Sequence, residues 1–364
     1  MTASVSGAPA TPASASALAP GERMRAEIAE QPARWLDLLS TQRAAIDAAA
    51  ELITTRQPEL IVFAARGSSD HAAMYGQYLA HNLLRIPALL ATPATLTAFG
   101  TRLHYPRSVA IAVSQSGQSP DLLATVAAIS DDEVPVIATT NNERSALAGL
   151  ADVHIPLSAG AELSVAATKT YTAELLALAL VLNRAAGSTW GELERRVTAI
   201  AETASTLLES DDWSEPLADS VDGCDRILVV GRGYAMATAK EGALKLMETN
   251  ALAASGWSAA DATHGPLGQV VPGSGVIALT GGDAGRESVL EFAEAATALG
   301  GRVVEIGADA IPSASARVAV ATADMAFAPL VEILPLQRLA LTLALRHGLD
   351  PDNPAGLNKV TLTN

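Results

Sequence analysis

The densest set of small hydrogen-bond donors in this 364-residue chain is Ser114-Gln115-Ser116-Gly117-Gln118-Ser119. It follows an apolar run, Val109 to Val113, and leads into Pro120 and Asp121. Hydroxyls, one amide side chain and the free N–H groups at a helix start can hold a dianionic phosphate without any Arg or Lys. Gly117 allows the turn to close tightly. Ser119 alone reads as an N-cap, with Pro120 at the first helical position. Capping leaves Ser114, Gln115 and Ser116 unexplained, and phosphate binding accounts for them. Ser68 and Ser69, after Gly67, occupy the matching place behind an earlier apolar run and are expected to contribute. No P-loop lysine or complete G-x-G-x-x-G pattern is present, so neither ATP nor NAD is indicated.

A second constellation lies on ATAKEGALKLMETN, where Glu241, Lys245 and Glu248 are spaced by four and three residues. On a helix the three fall within about 60° of one another. A solvated stripe would explain the spacing, but the helix follows Gly231-Arg232-Gly233 at a strand end. Its first turns should therefore face a ligand site, with shifted proton affinities. His264 precedes Gly-Pro and stands on a loop, and Lys359 sits in an irregular polar tail. Neither declares a role by itself.

Short, unalternating apolar runs must position these groups: Leu60–Ala65, Val109–Val113, Val134–Ala138, Val153–Leu157, then Arg226–Val230, Gly275–Thr280 and Val303–Ile306. Such runs suit strands buried on both faces. Helical stretches separate them, so each half reads as a parallel, doubly wound sheet. Val318–Ala321 and Met325–Ala328 are candidate edge strands. Long helices are expected over 24–39, 41–55, 165–186, 190–209 and 330–347. ARGSSDHAAMYGQYL and GRGYAMATAKEGALKL both set Arg-Gly where a strand gives way to an Ala-rich helix, suggesting duplication. The expected division is 1–22 as an Ala/Ser/Pro-rich disordered tail, 23–205, 206–348, and a C-terminal tail 349–364.

The formal charge of −15 argues against nucleic acid. One cysteine, Cys224, excludes an internal disulfide and a Cys-based zinc site and reads as packing. No signal peptide or membrane span is apparent, so a cytoplasmic protein is expected.

SQSGQSPDL, AELSVAATKTYT, GRGYAMATAKEGALKLME, HGPLGQV, PLQRLAL and NKVT, in that order, resemble the SIS (sugar isomerase) family. The likeness runs from about Met24 to the C-terminus. It is to the isomerase half of glucosamine-6-phosphate synthase, and closest to isomerase-only glucosamine-6-phosphate deaminases. The resemblance implies two tandem SIS domains, each a flavodoxin- or Rossmann-like α/β unit. It implies that Ser69, Ser114, Gln115, Ser116 and Ser119 bind the sugar 6-phosphate, with Ser68 near the sugar hydroxyls and Val165 and Ala167 lining the pocket. Glu248 would move a proton between C1 and C2, flanked by Lys245 and Glu241. His264 would open the sugar ring from the neighbouring subunit of a homodimer, and Lys359 matches a lysine that forms a Schiff base in the synthase. No cofactor or metal is implied. Residue 2 is Thr rather than a nucleophilic Cys, so glutamine hydrolysis by the synthase route is not expected. Ala167 replaces a family serine, and Ser255–Thr263 lacks the synthase glutamates. The leading expectation is deamination of glucosamine 6-phosphate to fructose 6-phosphate. The alternatives are a fructosamine-6-phosphate deglycase, an ammonia-dependent synthase isomerase, and a non-catalytic sugar-phosphate sensor.

Overall fold

The computed structural model describes residues 18–359 apart from 283, 321 and 323. The proposed N-terminal tail lies largely outside these residues. Helices α1 (Glu22–Thr41) and α2 (Arg43–Arg56) precede a sheet of β1 (Leu60–Ala64), β2 (Ala88–Leu90), β3 (Ser108–Ser114), β4 (Val136–Thr140) and β5 (Val153–Pro156). Between and after these strands run α3 (Ser68–Leu79), α4 (Pro93–Thr97), α5 (Pro120–Asp131), α6 (Ala146–Leu150), α7 (Lys169–Ala185), α8 (Trp190–Ser210) and α9 (Ser214–Val221). The second sheet contains β6 (Arg226–Gly231), β7 (Ala253–Ser258), β8 (Gly275–Leu279), β9 (Arg302–Gly307) and β10 (Ala316–Ala319). With it come α10 (Ala235–Asn250), α11 (Ala259–Ala262), α12 (Arg286–Ala298) and α13 (Ala328–Arg346).

Every strand pairing is parallel. The sheets are ordered β2-β1-β3-β4-β5 and, read in the same sense, β7-β6-β8-β9-β10. The order is identical in the two halves and is the flavodoxin-like one. Register matches as well: Ala64 pairs with Ala112 in the first sheet, and Val230 with Ala278 in the second.

One apolar cluster joins the halves, running from Ile61, Phe63 and Val109 through α7 and α13 to Ile277 and Val304. Trp35 of α1 is wholly buried in it and donates its indole N–H to Thr172 of α7 at 3.0 Å. Burying such a ring contributes several kcal/mol and satisfies its polar edge. In the same layer Gln31 donates to Gln337 at 2.7 Å, tying α1 to α13. α13 is long and apolar enough to cross a membrane, but 89% of its most apolar window is packed inside the molecule. Cys224 is buried, as a packing residue should be, and burial pushes its thiol up.

Several expectations are corrected. Met325–Ala328 is not a strand: it turns into α13, which starts at Ala328. β10 lies two residues earlier than expected. Helix α7 begins at Lys169, not 165, which leaves Val165–Thr168 as a loop. Helix α8 is unbroken through residue 205, so a division between the halves is better proposed after Ser210. Two edge strands, β2 and β7, had no strand signature. β7 reads AASGWS, and its Gly256 is fixed by packing: a Cβ there would stand 2.4 Å from the Ala239 carbonyl oxygen of α10.

Candidate active site

The strand ends of the first sheet, the last turns of α10 and the C-terminal tail enclose a cleft of about 360 Å³. It is lined by Ser68, Ser69, Ser114, Gln115, Ser116 and Ser119, together with Val165, Ala167, Glu248 and Lys359. The fold thus brings together residues separated by up to most of the chain length.

The Ser114–Ser119 turn is built by its own atoms. Ser114 Oγ accepts the Gly117 N–H at 3.0 Å, and Ser116 Oγ accepts that of Gln118 at 3.3 Å. Gly117 has φ 62°, a conformation disfavoured for residues with a Cβ. Ser119 is the N-cap of α5, yet its hydroxyl makes no capping bond. The expected capping bond is therefore absent: Asp121 Oδ1 takes the Leu122 N–H instead, at 2.8 Å, and Ser119 lines the cleft. The start of α5 brings partial positive charge to the same spot.

Ser68 and Ser69 form the first turn of α3 and are committed to carboxyl partners. Ser69 Oγ is 2.8 Å from Glu174 Oε1 of α7. Burial drives the Glu174 carboxyl well above its usual range, against the Ser69 bond, and nearby Glu162 and Glu241 add to it. Burial thus favours the protonated form of Glu174, and in that form the carboxyl is able to donate to Ser69 and free the serine O–H.

Ser68 Oγ donates to Glu241 Oε1 at 2.8 Å and receives Lys245 Nζ at 3.2 Å. Glu241 and Lys245 are wholly buried rather than forming a solvated stripe. Lys245 Nζ pairs with Glu241 at 3.1 Å and with Glu248 at 2.6 Å. Burial disfavours its charge, but Glu241 and Glu248 outweigh burial and hold the ammonium above its ordinary range. Burial would likewise raise Glu241, yet Lys245, His71 and Ser68 keep it below the usual carboxylate range. Lys245 is thus a fixed cation, not a base. Glu248 is the member of the set whose side chain reaches the cleft, 23% exposed. That geometry suits a carboxylate that takes a proton from a bound carbon acid and returns it one atom away.

His264 is not in this cleft. It is exposed on the loop after α11. Sequence reasoning also missed four residues. His71 Nδ1 is 2.8 Å from Glu241 Oε2, and Arg66 lines the cleft while bonding Asp121 at 2.7 Å. Glu174 and Glu162 are the other two. Each has a partner 55 to 197 residues away in sequence, and only the neighbouring motifs hinted at them.

The chain is similar to several known proteins. A glutamine–fructose-6-phosphate aminotransferase of Thermococcus kodakarensis is 31% identical over 345 residues, covering 92% of this chain and 57% of that protein. The chain thus spans little more than half the length of the curated relatives it matches. A crystal structure from Silicibacter pomeroyi, provisionally named a phosphosugar isomerase, superposes with TM-score 0.82 at 32% identity, covering 91% of this chain and 99% of that one. The C-terminal domain of the Francisella tularensis glucosamine-fructose-6-phosphate aminotransferase has the same fold, with TM-score 0.82 at 23% identity over 95% of this chain and all of that domain. The SIS domain pattern matches residues 55–184 and 222–344. With two matched segments on two sheets of identical order, the chain belongs to the SIS family of sugar isomerase domains.

Proposed function

We propose that the chain is a glucosamine-6-phosphate deaminase acting as a homodimer, with Ser69, Ser114, Gln115, Ser116 and Ser119 gripping the 6-phosphate. One observation carries this reading: Glu248 opens into the same cleft as the hydroxyl turn, so a phosphate-anchored sugar lies within its reach. After ring opening, Glu248 removes the C2 proton of the aldehyde form, giving an enolamine, and returns a proton to C1. The resulting C2 imine adds water and releases ammonia and fructose 6-phosphate. Lys245 and Glu241 keep Glu248 in place between these two transfers. His264 opens the ring from a second copy of the chain, consistent with its exposure and its distance from its own cleft.

A substrate panel tests the assignment. Glucosamine 6-phosphate should release one ammonia per fructose 6-phosphate formed, and unphosphorylated glucosamine none. Turnover of a fructosamine 6-phosphate with glucosamine 6-phosphate inert would instead establish the deglycase. Binding of fructose 6-phosphate without turnover of any member, unchanged in Glu248→Gln, would establish a sensor.

A further inference from the structure

We propose that Lys359 acts here as a charged tether and not as a covalent nucleophile, and that Glu162 is the positioning residue that makes it so. Attack on a ketose carbonyl needs a neutral amine with a free lone pair. Lys359 Nζ instead stands 2.7 Å from Glu162 Oε2 and 2.7 Å from the Ser164 carbonyl oxygen, so it donates to two acceptors. Glu162 is wholly buried on its side chain and has nowhere else to go. Its oxygens also accept the Thr168 N–H at 2.9 Å, the Thr170 N–H at 3.1 Å and the Thr170 hydroxyl at 2.6 Å. Burial would raise this carboxyl, but Lys359 together with those donors at the start of α7 holds it below its usual range. A helix N-terminus favours an anion at that point, so the charge facing Lys359 is fixed.

The same carboxylate shapes the loop carrying Val165 and Ala167, two cleft residues. One group thereby couples the sugar-facing loop to the C-terminal tail. The tail is pinned at a second point: Val165 donates its N–H to the Asp352 carbonyl at 3.1 Å, and the Asp352 carboxylate accepts the Met24 N–H at 2.8 Å and that of Arg23 at 3.1 Å. Docked at both places, the tail sets Leu357, Asn358 and Lys359 along the cleft rim.

The inference rests on the sugar-phosphate reading of the cleft, and the test separates the two. Full-length protein is mixed with fructose 6-phosphate and sodium borohydride, and the Lys359 peptide is weighed by mass spectrometry. Imine formation joins Nζ to C2 with loss of water, and hydride then fixes the adduct as a secondary amine. The wild type should show at most a trace of adduct, and Glu162→Gln at least ten times as much; a substantial wild-type adduct at Lys359 overturns the tether. Lys359→Arg, which keeps the charge but cannot form an imine, should lose about tenfold in kcat/KM, against a hundredfold for Lys359→Met. Equal losses overturn the proposal. Calorimetry with fructose 6-phosphate reports separately on the cleft: if the sugar does not bind, the substrate reading fails. The tether is then decided by acetic anhydride labelling of Lys359, expected tenfold faster in Glu162→Gln, with equal rates overturning it.

Discussion

Lys245 shows how much a single buried charge carries in this molecule. It is fully buried between two carboxylates, one buried and one facing the cleft. A buried pair is weak evidence for net stability, but removing one partner leaves the other charge uncompensated. Lys245→Met should therefore destabilise the protein by about 3–5 kcal/mol, measured as a lower urea midpoint at unchanged slope. The spacing of Glu241, Lys245 and Glu248 was legible because all three share one helix face. The complete burial of Glu241 and Lys245 was not, because it depends on α3 packing over α10 and bringing Ser68 and His71 onto Glu241. Glu162 and Glu174 were illegible for the same reason. Each sits in a stretch that reads as ordinary loop or helix, and its meaning comes from a partner far along the chain.

Among the elements, the turn from β3 into α5 was the most readable, since its donors are consecutive in sequence. What the sequence misjudged was Ser119, whose hydroxyl makes no capping bond while Asp121 serves the helix start. The turn depends on Gly117. A Cβ there would stand 2.3 Å from Ser145 Oγ, and φ is 62°. Gly117→Ala should cost about 1–3 kcal/mol in strain and weaken fructose 6-phosphate binding at least tenfold, read by thermal melting and by calorimetry. Central strands were legible from their continuous apolar runs, because both faces are covered. β2 and β7 were not: each is an edge strand, paired on one side, with β2 only three residues long and β7 rich in Ser and Gly.

Across the whole molecule, the two sheets of identical order carry different side chains at matching strand ends. Register places Thr280, at the end of β8, where Ser114 stands at the end of β3. The Thr280 hydroxyl is spent on buried Glu305, which also accepts the Ala310 and Ile311 N–H groups at 2.8 Å. A protein carboxylate thus takes up the Thr280 hydroxyl, whereas its counterpart Ser114 lines the cleft. In the second half burial lifts Glu332 to about 7, against the Gly281 amide, and in the first it lifts Glu27 to about 7, against the Leu163 amide. Both hold protons that the unfolded chain has lost above its ordinary carboxyl range near 4.5. Their contribution to stability is therefore complete at acid pH and lost as pH rises through about 7. Glu332→Gln should flatten that decline and gain about 2 kcal/mol over the wild type at pH 8, seen in urea titrations between pH 5 and 8.

The account turns on one carbon acid held by its phosphate within reach of one carboxylate. Proton NMR of glucosamine 6-phosphate turnover in D2O, in wild type and Glu248→Gln, tests this most directly. The wild type should yield fructose 6-phosphate with deuterium entering only at C1. Glu248→Gln should bind fructose 6-phosphate with unchanged affinity while turnover falls by about a hundred- to ten-thousand-fold. Turnover undiminished in Glu248→Gln would contradict it.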